Sequence, residues 1–131
     1  MLALDTNVLV RLLTRDDEAQ AVKARDLLDA HAGEDGALFV SDIVLAELVW
    51  TLDRAYGLTR GAIAGALKAL ADNATLGFES REVLRHAQDL FAASKAGFTD
   101  CLIVAKAFAC GCEAVLSFDR GVRSLPGVQS P

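Results

Sequence analysis

Leu2-Ala3-Leu4-Asp5-Thr6-Asn7-Val8-Leu9-Val10-Arg11-Leu12-Leu13 decides how the rest of the chain is read. The apolar run Leu2–Leu4 stops at a polar corner, Asp5-Thr6-Asn7, and an apolar segment resumes from Val8 to Leu13. That order reads as a short strand, a corner and a helix. The alternation continues downstream. Thr14–Asp17 breaks the pattern and offers caps for a helix in which Ala21, Ala24, Leu27, Leu28 and His31 recur at helical spacing. Gly33–Gly36 make a turn, and Ala37–Val40 read as a second buried strand. Ser41 caps a helix from Asp42 to Tyr56, with Gly57 just past its end. This helix is apolar on nearly every face: Ile43, Val44, Leu45, Leu48, Val49, Trp50 and Leu52. Thr59 opens another helix with Ile63, Leu67 and Leu70 on one side.

A short strand, Leu76–Phe78, follows, and Ser80 caps a helix carrying Val83, Leu84, Ala87, Leu90 and Phe91. Lys95–Phe98 reads as a loop. Thr99 is the expected cap of a helix that begins at Asp100 and ends near Gly111, and Ala114–Phe118 is the last clear strand, ending at Asp119. Strands alternating with helices predict an α/β fold of three layers, α/β/α, around a central, mainly parallel sheet. With no repeat, low-complexity tract or linker, a single domain over residues 1–131 is expected.

Composition sets the outer limits. A chain of 131 residues has the length of one ordinary domain. Its hydrophobic fraction of 53% and mean hydropathy of +0.32 are high, which suggests apolar surface that a second copy or a partner protein covers. No apolar run approaches the ~18 residues that span a bilayer. Asp5 and Asn7 interrupt the stretch where a signal peptide would need its apolar region. Cys101, Cys110 and Cys112 are an odd number of thiols in an unstapled chain, which suggests a reducing cytoplasm. Cys110 and Cys112 lack the C-x-x-C spacing, and with only His31 and His86 elsewhere a zinc site is not expected. A net charge of −5 excludes a protein whose main task is coating nucleic acid. It is compatible with an enzyme that touches RNA briefly at one site.

Most of the eighteen acidic residues fit solvated faces, and four do not. Asp5 and Asp119 each follow a strand at its carboxyl end, the edge where ligand sites form in open α/β sheets. Asp100 lies in the first turn of a helix. Glu47 sits in the middle of an apolar helix, among core residues. Singly, each has an ordinary explanation: a helix cap for Asp5, a complement to the helix dipole for Asp100, a turn for Asp119, an exposed helical face for Glu47. If the four meet at one rim, they make a crowd of like charges with no cation spaced to pair with all of them. Carboxylates within a few ångströms of each other cannot all stay ionised unaided. A hard divalent cation resolves this, and an all-oxygen site without His or Cys selects Mg²⁺ or Mn²⁺. Such sites bind phosphates and activate water for attack on a phosphodiester. Asn7 and Ser117, two positions from Asp5 and Asp119, are neutral polar residues suited to orienting these acids.

In order and spacing, Leu4-Asp5-Thr6-Asn7-Val8-Leu9-Val10, Ala46-Glu47-Leu48, Thr99-Asp100-Cys101-Leu102-Ile103-Val104-Ala105 and Ser117-Phe118-Asp119 resemble the PIN-domain family. Within it, the short length and the opening segment resemble the VapC-type toxins of bacterial toxin–antitoxin pairs. The resemblance covers essentially the whole chain. It implies a PIN-like fold, Mg²⁺- or Mn²⁺-dependent endoribonuclease activity, and inhibition by a small antitoxin. It also implies that Asp5, Glu47, Asp100 and Asp119 are the acidic metal-binding set, supported by Thr6 or Asn7 and by Ser117. Cys101 stands where Ala or Ser is common after the third acid.

Other readings compete on the residues. A phosphotransferase using Asp5 as nucleophile wants a second Asp two positions on, where Asn7 stands. A non-catalytic α/β binding module, or a PIN-fold RNA-processing nuclease without an antitoxin, would share the fold. RNA contact is expected from Arg11, Arg15, Lys95, Arg120 and Arg123, which can hold phosphates without reading sequence. The helices around Leu45–Leu52 and Ile63–Leu70 are the candidate antitoxin groove or homodimer face.

Overall fold

The computed structural model describes residues 1–131. They pack as two compact units, residues 1–79 and residues 80–131. The first contains β1 (Leu2–Ala3), α1 (Thr6–Leu13), α2 (Glu18–Ala30), β2 (Leu38–Val40), α3 (Asp42–Arg54), α4 (Arg60–Asp72) and β3 (Leu76–Phe78). Its three strands form one sheet in the order β1-β2-β3, and both pairings are parallel. Leu38 lies between Leu2 and Leu76 in register. Parallel neighbours need a crossover, and α1–α2 and α3–α4 supply the two crossovers as helices. The sheet is narrow at one point by necessity. A side-chain carbon at Gly77 of β3 would lie 3.1 Å from the Gly36 carbonyl oxygen, so the close approach of these backbones requires glycine there.

The helices start where short polar side chains can take an orphan N–H. Asp17 accepts from Gln20 at 3.0 Å, Ser41 from Val44 at 3.2 Å and Thr59 from Ala62 at 3.1 Å. The third helix stops at Arg54, two residues before the expected Tyr56, and the chain turns at Gly57 with φ of 61°. The core of this unit is aliphatic: Leu9, Leu38, Val40, Leu45, Leu48, Leu52, Leu67 and Leu76 are fully buried. α1 packs on both α2 and α3, and α3 on α4.

Three expectations are corrected in this unit. Leu2 and Ala3 are exposed, and the first buried residue is Leu4, because β1 is an edge strand of only two residues. The apolar stripe of α3 is narrower than expected: Ile43 is 77% exposed and Trp50 63%. Conversely Leu45, Leu48, Leu52, Ile63, Leu67 and Leu70 are consumed by the core, so they do not form an open groove for another chain.

The second unit contains α5 (Arg81–Ala93), α6 (Phe98–Ala109), β4 (Val115–Leu116), α7 (Arg120–Arg123) and β5 (Val128–Gln129). Ser80 caps α5 by accepting from Val83 at 3.2 Å. α5 and α6 pack as a pair, and the rings of Phe91 and Phe98 meet edge to face, 5.8 Å apart at 87°. This contact accounts for a correction. α6 begins at Phe98, not Asp100, and Gly97 rather than Thr99 occupies the cap position, without a side-chain cap. Burying Phe98 against α5 draws it into the helix that the sequence pattern starts two residues later. A second correction concerns the end of the chain. The expected Ala114–Phe118 strand contains only Val115–Leu116, with Phe118 85% exposed. It pairs in parallel with β5, an element too short to show any periodicity, and α7 lies between them in sequence. Every strand pairing in the chain is parallel, and the α/β class is as expected.

Phe98→Ala is expected to cost about 3–5 kcal/mol, a large share of a domain's roughly 5–15 kcal/mol. Phe118→Ala should change stability by less than about 0.5 kcal/mol. Urea denaturation of the two variants compares them directly, and equal losses would mean that Phe98 is not the anchor of the second unit.

Candidate metal centre

The first unit presents a polar cavity of about 380 Å³, lined by Asp5, Thr6, Asn7, Val10, Arg11, Glu47, Thr51 and Tyr56. Its geometry begins with the corner after β1. Asp5 is the N-cap of α1, with extended backbone at φ −81° and ψ 161°, and its Oδ1 accepts from the Thr6 N–H at 2.8 Å. That bond leaves Oδ2 without a role in the cap. Thr6 is buried, and its hydroxyl donates to Glu47 Oε2 at 2.5 Å. Adjacent residues thus tie the start of α1 to the middle of α3 and bring Asp5 and Glu47 to the same cavity. Glu47 itself is exposed, so it costs little desolvation, and α3 needs no counter-ion for it. One turn further along α3, the Thr51 hydroxyl donates to the Glu47 carbonyl at 2.9 Å. Asn7 is exposed on the cavity rim.

The second unit places Asp100 in the first turn of α6 and Asp119 at the N-cap of α7. Asp119 Oδ1 accepts from the Gly121 N–H at 2.7 Å and the Val122 N–H at 3.2 Å. The Asp119 N–H in turn donates to Ser117 Oγ at 3.1 Å. Ser117 therefore fixes the backbone of Asp119 rather than its carboxylate. A side-chain carbon at Gly121 would lie 3.1 Å from Asp119 Oδ1, so this glycine makes room for the carboxylate. Burial pushes the Asp100 carboxyl above the usual carboxylate range, and the negative charge of Asp119 pushes it the same way.

None of the four acids takes part in an ion pair. In neither unit do three or more His, Cys, Asp or Glu side chains gather as a ready-made metal cage. What each unit holds is a pair of carboxylates at helix starts or on a helix flank. A donor set of this kind fits Mg²⁺ better than a softer ion. Magnesium uses one or two carboxylates and keeps several of its waters, where zinc would ask for four ligands including sulfur or nitrogen. Of the thiols, Cys101 is buried, Cys110 and Cys112 are exposed, and none is in a disulfide.

The cationic candidates scatter. Arg15, Lys95 and Arg120 are exposed, and Arg123 is partly buried with an Nε that has no hydrogen-bond partner. Arg11 alone lines the cavity that Asp5 and Glu47 share, and it is held there by Asp16, Gln20 and Tyr56. Thr51 and Tyr56 were not singled out from sequence. The spacing of four from Glu47 puts Thr51 on the same helical face, which is a usable signal. Nothing local marks Tyr56.

These features define an α/β protein in which Asp5, Asp100 and Asp119 at helix starts and Glu47 on a helix flank take part in no ion pair. The sequence model of the PIN domain matches residues 2–128, and the chain belongs to the PIN-domain family. It is similar to a VapC ribonuclease of Aquifex aeolicus (strain VF5), with 28% identity over 125 residues covering 95% of this chain and 92% of that protein. Among solved structures it is similar to a toxin-antitoxin complex from Klebsiella pneumoniae. That likeness is loose, at 19% identity and a TM-score of 0.40, covering 100% of this chain and 98% of the other.

The raised pKa of Asp100 has a consequence for stability without metal. A carboxyl whose folded pKa exceeds its unfolded value of ~4 binds more protons in the native state between the two values. Stability therefore falls as pH rises through that window, and the penalty persists above it. Asp100→Asn removes the penalty. With chelator present, its melting temperature should exceed wild type at neutral pH, and the difference should vanish in acid below the ordinary carboxylate range. Melting curves across pH check this, and a variant that melts no higher at neutral pH would contradict it.

Proposed function

We propose that this chain is an endoribonuclease dependent on Mg²⁺ or Mn²⁺, acting as one PIN domain over residues 1–131 and serving as the toxin of a bacterial toxin–antitoxin pair. The observation that carries the reading is the state of the acids. Asp5, Glu47, Asp100 and Asp119 make no ion pair, although a cation, Arg11, lines the same cavity as two of them and pairs instead with Asp16. Acids left uncompensated in this way suit a divalent cation. The family match spans all four positions, and the similar protein from Aquifex aeolicus is a ribonuclease by name.

In this reading Asp5, Glu47, Asp100 and Asp119 hold the metal. Bound there, the ion supplies Lewis acidity toward a phosphoryl oxygen and a water of lowered pKa. The chain's own work is positional. The cap bond from Thr6 N–H fixes the carboxylate of Asp5, the Thr6 hydroxyl fixes that of Glu47, and the backbone N–H groups of Gly121 and Val122 fix that of Asp119. Such preorganisation costs nothing at the moment of reaction, because the groups are already oriented by folding. RNA would be met by Arg11, with Arg15, Lys95, Arg120 and Arg123 contributing charge along the strand.

A small antitoxin and a second copy of the chain are the proposed protein partners. The exposed Ile43 and Trp50 of α3 are apolar surface of the kind that partners cover. Three thiols outside any disulfide suit a cytoplasmic protein, and no helix is long and apolar enough to cross a membrane.

The test is cleavage of single-stranded RNA by the partner-free protein with Mg²⁺, Mn²⁺ or chelator. Cleavage should require the metal. Asp5→Asn and Asp119→Asn should each lower the rate by ~10²-fold or more while leaving the protein folded. Activity that survives chelator, or an Asp5→Asn variant that keeps above about a tenth of the wild-type rate, would overturn the assignment.

A further inference from the structure

Arg11 is the one cation on the cavity of Asp5 and Glu47, and its guanidinium is unusually constrained for a surface arginine. Nε donates to Gln20 Oε1 at 2.6 Å, and Nη1 donates to Asp16 Oδ1 at 2.9 Å and to the Tyr56 hydroxyl at 3.3 Å. Tyr56 completes the ring by donating its own hydrogen to Asp16 Oδ2 at 2.6 Å. The Thr14 hydroxyl adds a bond to Asp16 Oδ1 at 3.0 Å. Three residues, Asp16, Gln20 and Tyr56, therefore hold one guanidinium, and Thr14 steadies Asp16. The remaining nitrogen, Nη2, carries two N–H donors that none of them uses.

Resting on the nuclease reading above, we propose that Arg11 grips a backbone phosphate of the RNA beside the scissile one, and that Tyr56 and Asp16 are positioning residues that hold its guanidinium for that purpose. The geometry favours a bound anion over a merely structural ion pair for three reasons. First, the side chains of Arg11 and Asp16 are 24% and 51% exposed, and a pair so wetted gains little stability by itself. Second, the same two residues would satisfy each other without Tyr56 or Gln20, yet both are recruited. What their presence fixes is the plane of the fork, and a fixed plane matters for bidentate recognition of phosphate, not for a simple charge contact. Third, the free edge belongs to a side chain that lines the acidic cavity and also borders a second cleft of about 270 Å³, between α1 and α2, whose lining includes Lys23. A polyanion leaving the cavity toward Lys23 would pass Arg11. The Tyr56 hydroxyl is the main cause of both electrostatic shifts in the ring, holding Arg11 above and Asp16 below its ordinary range.

The experiment compares wild type, Arg11→Gln, Tyr56→Phe and Asp16→Asn in two measurements. One is binding of a short fluorescein-labelled single-stranded oligoribonucleotide by anisotropy in chelator across a KCl series, with the strand checked to be intact. The other is steady-state cleavage of the same strand with Mn²⁺. Arg11→Gln should weaken binding by about tenfold or more. It should also reduce the salt slope by about 0.7, the loss of one phosphate contact on a single strand. Tyr56→Phe and Asp16→Asn keep the cation, so each should weaken binding by roughly threefold with the slope retained. In cleavage all three should act on KM rather than kcat. Because Asp16 is solvated, neither positioning variant should lose the fold, and unchanged melting curves will show that. Wild-type affinity and slope in Arg11→Gln would overturn the proposal. So would an Arg11 effect that Tyr56→Phe and Asp16→Asn do not share, since then the ring positions nothing. A wild-type protein that binds the strand with these variant effects but never cleaves it would remove the nuclease reading and leave the grip standing. Cleavage with a wild-type KM in every variant would do the reverse.

Discussion

The carboxylate of Asp5 is asked to do two things within one side chain. It must close the first turn of α1, accepting the Thr6 N–H, and it must present charge to the cavity it lines. The two tasks are compatible because a carboxylate has two oxygens and the cap uses only one. They are also mutually reinforcing. Replacing the acid by a neutral cap such as Ser would keep the helix but lose the charge, and replacing it by a longer acid would keep the charge but lose the cap. Everything placed by α1, from Thr6 against Glu47 to Arg11 in the last turn of the helix, inherits its position from that cap. Asp119 repeats the device at α7, where a four-residue helix leans on two N–H bonds to the same oxygen.

This economy explains why unpaired acids survive at these positions. A capping Asp contributes about 1 kcal/mol to a helix, which offsets part of the repulsion that arises when another acid comes near. Asp100 has no such compensation. It lies in the first turn of α6, where the cap position is held by Gly97 without a side-chain bond, and its burial, with the charge of Asp119, pushes its carboxyl upward.

How much of this was legible in the sequence depends on the range of the interaction. Caps act over three residues, and Ser41, Thr59 and Ser80 announce α3, α4 and α5 by side chain alone. Asp5 was legible for the same reason, as an acid at the junction of strand and helix, whereas Asp119 reads only as the end of a strand, and the short helix α7 that it caps was not expected. The start of α6 was misread because its cause is tertiary: Phe98 joins the helix to pack against Phe91, and no local pattern encodes that. β4 and β5 each have two residues, fewer than one period of alternation needs. Their pairing is decided by chain geometry between residues 115 and 128. The apolar face of α3 was overestimated because hydrophobic residues are not confined to the interior, and Ile43 and Trp50 sit outside it.

The supporting residues of the first unit were the least legible part. Thr6 and Glu47 are 41 positions apart, and Tyr56 and Asp16 are 40 apart. Each bond links α1 or the turn after it to α3 or the turn after it, and both depend on α1 packing against α3. Asp16 reads from sequence as a spare cap beside Asp17, while in the fold it is the counter-ion of Arg11. That pairing has a consequence for the acids. A cation at the cavity with no partner of its own would neutralise Asp5 or Glu47 and compete with any metal for them. On the proposed reading, committing Arg11 to Asp16 keeps a guanidinium at the cavity for an anion while leaving Asp5 and Glu47 free for a cation. The separation of these two roles rests on the Tyr56 hydroxyl as much as on the charges, because it binds both members of the pair at once.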